Sequence, residues 1–207
     1  YNGKILTSMH LKDYVEKNQF NPSIQTIILE TKLTIKNEES IELDNFGAIV
    51  QLLEWVKQDR KHPALKKLQG LLWEEGYQTG ELKGHVYPDV PVALKNWLES
   101  GIKLGIYSSG SIEAQRALFG HSLFGDLNSY FAHNFDTSVG HKRDPQSYIN
   151  ILAEIKFKGS DVLFLSDIVE ELEAAQKAGI KTIQLVRDEE VPYLNHRQIH
   201  SFSEIAL

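Results

Sequence analysis

Two short apolar runs constrain the fold of this chain more than any other feature: residues 103–107 (Lys-Leu-Gly-Ile-Tyr) and 162–165 (Val-Leu-Phe-Leu). Each is too short for a helix, is apolar at successive rather than alternate positions, and runs at once into polar residues. A strand that is apolar on both sides is buried on both sides, which indicates a parallel sheet covered by helices. The chain keeps this strand–helix alternation from about residue 85 onward. Asp89 is placed to cap a helix whose apolar face is Val90, Leu94, Trp97 and Leu98, with Gly101 ending it. Residues 112–119 are the next helix, a strand is expected near 130–135, and a helix over 145–155. Asp167 then opens a helix that Gly179 closes, and residues 181–186 form a last strand. Ligands of such sheets bind beyond the carboxyl ends of the strands.

Residues 6–77 follow a different pattern. Apolar residues recur at helical spacing (Ile24, Ile27, Ile28, then Thr31; Phe46, Ile49, Val50, Leu53, Trp55, Val56), and Asn21-Pro22-Ser23 fits a turn and helix start. His62-Pro63 breaks the second run and suits the first turn of a further helix through Leu65, Leu68, Leu72 and Trp73. No strand-like alternation occurs here. Two domains are expected, an all-helical one over residues 1–84 and an α/β one over residues 85–207.

Composition narrows the function classes. The 207 residues carry a net charge of −6 and no cysteine. The negative balance argues against a phosphate-backbone binder of the nucleic-acid kind. Disulfide and thiolate chemistry are excluded, and no stretch approaches the ~18 apolar residues of a membrane span. A monomer in the cytoplasm, with no nucleic-acid or membrane partner, is the expectation. The chain begins at Tyr1 and its one methionine is Met9, from which a further segment upstream is expected.

Three strand-end positions carry candidate chemistry. Ser108-Ser109-Gly110-Ser111 joins a strand to a helix N-terminus, where hydroxyls, backbone N–H groups and the helix dipole can cradle a phosphate. The competing reading is that Ser111 only caps the helix and Gly110 only permits the turn. Lys142, after Gly140 and His141, can neutralise a phosphoryl group, or be an ordinary solvated lysine. Asp167, directly after a buried strand, suits a hard cation such as Mg²⁺, with Glu171 one helical turn on. Asp167 with Glu170 also fits a capping pattern, and the sequence alone leaves both open.

The order of these signals, strand-end Ser, Gly-associated Lys, strand-end Asp, resembles the later motifs of haloacid-dehalogenase phosphatases. The likeness extends to the enolase-phosphatase family through residues 106–111 (Ile-Tyr-Ser-Ser-Gly-Ser), Ala114-Gln115, residues 118–122 (Leu-Phe-Gly-His-Ser), residues 135–137 (Phe-Asp-Thr), Ser147-Tyr148 and residues 164–167 (Phe-Leu-Ser-Asp). Residues 66–70, Trp73, Gly76-Tyr77 and Gly80 add to it, so that it covers most of the chain. The resemblance implies a Rossmann-like α/β core with an inserted all-helical cap domain. It implies a bifunctional, Mg²⁺-dependent enzyme that converts 2,3-diketo-5-methylthiopentyl-1-phosphate to an acireductone and phosphate in methionine salvage. Enolisation comes first and dephosphorylation second. Ser108 and Ser109 would bind the substrate phosphate, Lys142 would be catalytic and neutralise it, and Asp167 would be a Mg²⁺ ligand supported by Glu171. The family's first motif, Asp-Ile-Glu-Gly-Thr-Thr, supplies the nucleophile on a strand between those ending at Ser108 and Asp167. It has no counterpart in residues 1–207. A non-catalytic phosphate-binding relative, or a phosphatase of another small ester, is the alternative.

Overall fold

The computed structural model describes residues 8–187 and 196–205, with side chains from residue 11 onward. The chain divides into two compact units, Tyr1–Leu82 and Lys83–Leu207.

The described part of the first unit is helical: α1 (Ser8–Lys17), α2 (Pro22–Glu39), α3 (Asn45–Lys57) and α4 (Pro63–Thr79). Each of the last three starts where a side chain can serve an unpaired N–H of the first turn. The Asn21, Asp44 and His62 side chains accept from Ser23, Gly47 and Ala64, and proline stands in the first turn of α2 and α4. The isoleucines of α2 predicted to share a face (Ile24, Ile27, Ile28) are buried with Leu11, Leu52, Trp55, Leu65 and Leu68. Thr31 is polar on that face, and its hydroxyl is satisfied by donating to the Ile27 carbonyl at 2.8 Å.

His62 ties these helices together and is sensitive to its protonation state. Its Nδ1 accepts from the Ala64 N–H at 3.2 Å, so the neutral ring carries its proton on Nε2, 3.2 Å from Thr34 Oγ1. The ring lies 4.3 Å from that of Trp55, over which the Arg60 guanidinium also sits. Burial, and then the Arg60 charge, hold the imidazole pKa below its ordinary value of 6.5.

Among the described residues the second unit has five strands, all pairing in parallel. β1 (Leu104–Tyr107) pairs with β2 (Phe131–Phe135), and β3 (Leu163–Ser166), β4 (Lys181–Leu185) and β5 (Arg197–Ile199) lie side by side in that order. Four helices of this unit are α5 (Asp89–Glu99), α6 (Ile112–Gly120), α7 (Pro145–Ile155) and α8 (Val169–Lys177). β3 shows why its run is continuously apolar. Leu163 and Leu165 pack against a buried cluster of Ile183, Ile199 and Ile205, whereas Val162 and Phe164 pack against one of Tyr148 of α7, Ala174 and Ala175 of α8 and Ile180.

Four expectations need correction. Among the described residues the sheet is in two pieces, as expected where the first-motif strand has no counterpart in residues 1–207, and β1 and β3 each have a partner on one edge only. Both runs, expected to be buried, are therefore half-buried, with Gly105 exposed, and they line a mainly apolar cleft of about 740 Å³. Residues 181–186 do not hold the last strand: β5 follows, three residues long and mostly polar, too short for periodicity to register. Asp89 does not cap α5, which has no side-chain cap; its carboxylate pairs with Arg187 at 2.9 Å and accepts from Ser201 and the Phe202 N–H. Asp167 does not open α8, which spans Val169–Lys177 with Ile168 as its N-cap; Gly179 does close it, at φ +83°, its N–H and that of Ile180 donating to the Gln176 and Ala175 carbonyls at 2.9 and 3.1 Å.

A base whose folded-state pKa is depressed contributes stability that is complete above its unfolded value and is lost as the pH falls below it. The urea midpoint of the helical unit is accordingly expected to decline as the pH is lowered from about 7 through the unfolded value of 6.5. In His62→Asn, which keeps a capping acceptor, that component of the slope should vanish. An unaltered slope in the variant would show that another group is responsible.

Candidate active site

The parallel strands set the location: Ser108 follows the end of β1, Asp136 the end of β2, and Asp167 the end of β3. The Ser108–Ser111 turn is fixed from inside. Ser111 is the N-cap of α6, its Oγ accepting the Ala114 N–H at 3.3 Å, which leaves Ser108 and Ser109 free of that duty. The Ser108 N–H donates to the Phe135 carbonyl at 3.0 Å, and its Oγ accepts from the Gly110 N–H at 3.2 Å. Among the described residues its hydroxyl donates to no acceptor, which leaves that proton for a ligand oxygen, and Ser109 is exposed beside it. Gln115, only 5 % exposed, holds the turn in place. Its Nε2 donates to the Gly110 and Phe135 carbonyls at 2.9 and 2.8 Å, while its Oε1 accepts from Asn134 at 3.1 Å.

Lys142 sits on a loop after β2. Asp136 starts that loop by accepting the Ser138 N–H at 2.9 Å. Gly140 turns it at φ +132°, where a Cβ would also stand 2.7 Å from that of Ser147. The lysine is not a solvated surface group: its ammonium is 2.6 Å from Glu171 Oε1, with the two side chains 23 % and 9 % exposed. The other carboxylate oxygen of Glu171 accepts from the Ser166 hydroxyl at 2.9 Å, and Ser166 Oγ in turn accepts the Ile168 N–H at 3.1 Å. A buried carboxylate bonded through both oxygens holds one geometry, and so it fixes the ammonium.

Asp167, between Ser166 and Ile168, is exposed. The capping alternative does not hold, because Ile168 is the N-cap of α8 and no side chain caps that helix. Lys142, Ser166 and Glu171 therefore form one bonded group next to Asp167. Ser108 and Ser109 stand at the end of β1, and among the described residues neither they nor Asp167 hydrogen-bond to Lys142. The residues suit Mg²⁺ in a limited way. Asp167 can supply one oxygen ligand, Glu171 is already engaged, and no group of three or more His, Cys, Asp or Glu occurs among the described residues. Such an ion commonly keeps several waters and takes phosphate oxygens as ligands, so one free carboxylate at the strand end is compatible with it.

Four residues with defined tasks here were not singled out for a role by the sequence: Tyr107, Gln115, Tyr148 and Ser166. All four fall within the matched motifs, but a motif shows only that a position matters and not which group it serves.

Comparison with known proteins gives the family. A model of haloacid dehalogenase-like hydrolases matches residues 19–179, and the chain belongs to that family. Its crystallographic likeness includes the UTR4 protein of Saccharomyces cerevisiae, with a TM-score of 0.79 at 33 % identity, covering 96 % of this chain and 88 % of that one. CbbY from Rhodobacter sphaeroides in complex with phosphate shares the fold, with a TM-score of 0.57 at 18 % identity and coverage of 88 % and 90 %. Within these hydrolases the chain is a member of the enolase-phosphatase E1 family. It is 45 % identical to the enolase-phosphatase E1 of Sulfurihydrogenibium sp. over 95 % of this chain and 86 % of the relative. The corresponding protein of Marinobacter nauticus is 46 % identical over 96 % and 85 %.

Gln115→Leu fills the same space but leaves the Gly110 carbonyl without its donor and Asn134 without its acceptor. The expected loss is about 1–3 kcal/mol of stability, the usual cost of a buried polar group left unpaired. Urea unfolding checks it, and a midpoint equal to that of the wild type would mean that Gln115 does not hold the turn.

Proposed function

We propose that the chain works as an enolase-phosphatase: it takes 2,3-diketo-5-methylthiopentyl-1-phosphate, enolises it, and removes the phosphate to give an acireductone in methionine salvage. In this reading it is a cytoplasmic monomer that acts on a small phosphorylated diketone and uses Mg²⁺. No described helix is long and apolar enough to cross a membrane.

The observation that carries the reading is the Lys142–Glu171–Ser166 group, because it prepares a cation at the strand ends without spending it on solvent. Ser108 offers a hydroxyl proton and Ser109 an exposed hydroxyl to the phosphate oxygens. Lys142 brings a positive charge that a phosphate dianion can share with Glu171. Asp167 is the carboxylate that would hold Mg²⁺. The ion, when bound, neutralises charge on the phosphoryl oxygens and so favours the loose transition state of phosphoryl transfer. Glu171 keeps Lys142 directed into the site in the absence of substrate, so little side-chain entropy remains to be lost on binding. The nucleophile implied by the family is an aspartate of the first motif, which residues 1–207 do not contain. Turnover is accordingly a property of protein that carries that motif, whereas phosphate recognition belongs to Ser108, Ser109 and Lys142.

The test is phosphate release from the diketo substrate by protein that carries the first motif. Release is expected to require Mg²⁺ and to fall by about 10²–10³-fold in kcat in Lys142→Ala, the range for removal of one charge-stabilising group. Asp167→Asn should raise the Mg²⁺ concentration needed for half-maximal rate. Binding of phosphate compounds without any turnover would replace the enzyme with a binding protein. Turnover of other phosphate esters in preference to the diketone would move it to another phosphatase.

A further inference from the structure

We propose that Tyr148, with Tyr107 beside it, is a positioning pair for Lys142: the two phenol hydroxyls clamp the loop carbonyls around the lysine and so set where its ammonium meets a phosphoryl group. The inference rests on the phosphate-binding reading of Lys142 above, and adds to it residues that touch neither substrate nor metal.

The loop bearing Lys142 has little regular structure of its own, and its carbonyls are held from outside one after another. Asn150 Nδ2 donates to Val139 O at 3.0 Å, and the Tyr107 hydroxyl donates to Gly140 O at 3.0 Å. The Ser147 hydroxyl is shared between His141 O and Asp144 O, at 2.8 and 2.6 Å. The Tyr148 hydroxyl donates to the carbonyl of Lys142 itself at 2.7 Å. That bond is the nearest anchor to the lysine side chain. Only the ammonium at the far end is otherwise fixed, by Glu171.

Tyr148 can act as an anchor because it is itself immobilised. It is 1 % exposed, and its ring meets those of Tyr107 and Phe164 edge-on, with centroids 5.6 and 5.2 Å apart. Tyr107 immediately precedes Ser108, and Phe164 lies three residues before Asp167. One phenol is thus in contact with the strand leading to the phosphate turn and the strand leading to the metal-ligand carboxylate, while bonded to the lysine loop. Burial, and then the charge of Glu171, push its pKa well above the ordinary tyrosine value, so it remains a donor throughout the working pH range. A small displacement of a positioned group is costly even when the fold survives.

Isothermal calorimetry of inorganic phosphate, in one Mg²⁺ buffer, on wild type, Tyr148→Phe, Tyr107→Phe, Lys142→Ala and the Tyr148→Phe/Lys142→Ala double variant tests this without requiring turnover. Tyr148→Phe keeps the ring and is expected to weaken phosphate roughly 10-fold, with the melting temperature little changed. Tyr107→Phe should show a smaller loss of the same kind, and it supports or refutes the clamp should Tyr148→Phe fail to fold. Because the tyrosines act through Lys142, the double variant should bind no more weakly than Lys142→Ala alone. Losses that multiply in the double variant, or wild-type affinity in both phenylalanine variants, would overturn the proposal while leaving Lys142 as the phosphate ligand. Wild-type affinity in Lys142→Ala would overturn the reading of Lys142 and the proposal together.

Discussion

The contact between the Lys142 ammonium and Glu171 is the interaction on which the site depends. It joins a loop that follows β2 to the first turn of α8, and through Ser166 it reaches the last residue of β3. Desolvating two charges is expensive, and breaking a buried pair costs more than the pair gains relative to an apolar contact. Such a pair is better explained by function than by stability. The carboxylate holds a cation in a sheltered position until an anion of higher charge arrives, and a phosphate monoester is one.

Around that contact, the architecture has few free choices. Parallel pairing of β1 with β2 brings Ser108 and Asp136 to one end, and the Lys142–Glu171 contact joins the loop after β2 to the end of β3 beside Asp167. The connection after each strand then decides its chemistry. After β1 it is a tight turn closed by Gln115, and after β3 it is a two-residue step that leaves Asp167 exposed. After β2 it is a longer loop, which needs the tyrosines, Ser147 and Asn150 to hold its carbonyls.

Much of this was legible in the residues. Continuous apolar runs gave β1 and β3 because burial on both faces removes alternation, and Pro22 and Pro63 marked helix starts because proline suits the first turn. The strand-end serine, lysine and aspartate stood out by position. What was not legible depended on tertiary partners. Asp89 has the residue type and place of a cap, yet Arg187, 98 positions away, and Ser201 claim its carboxylate. Tyr148 falls within a matched motif, and only the fold shows that its hydroxyl ends on the Lys142 carbonyl. β5 is too short for a periodic signal, and pairing with β4 makes it a strand. The division of the sheet between β1 and β3, by contrast, was legible, because the strand of the first motif has no counterpart in residues 1–207.

The central claim is that Ser108, Ser109 and Lys142 form the phosphate-binding group of an enolase-phosphatase. A crystal structure with Mg²⁺ and orthovanadate, a phosphate mimic, tests it most directly. The account predicts the anion beyond the ends of β1 and β3, within hydrogen-bond distance of the Ser108 or Ser109 hydroxyl and of Lys142 Nζ. An anion bound elsewhere, with Lys142 still directed solely at Glu171, would contradict it.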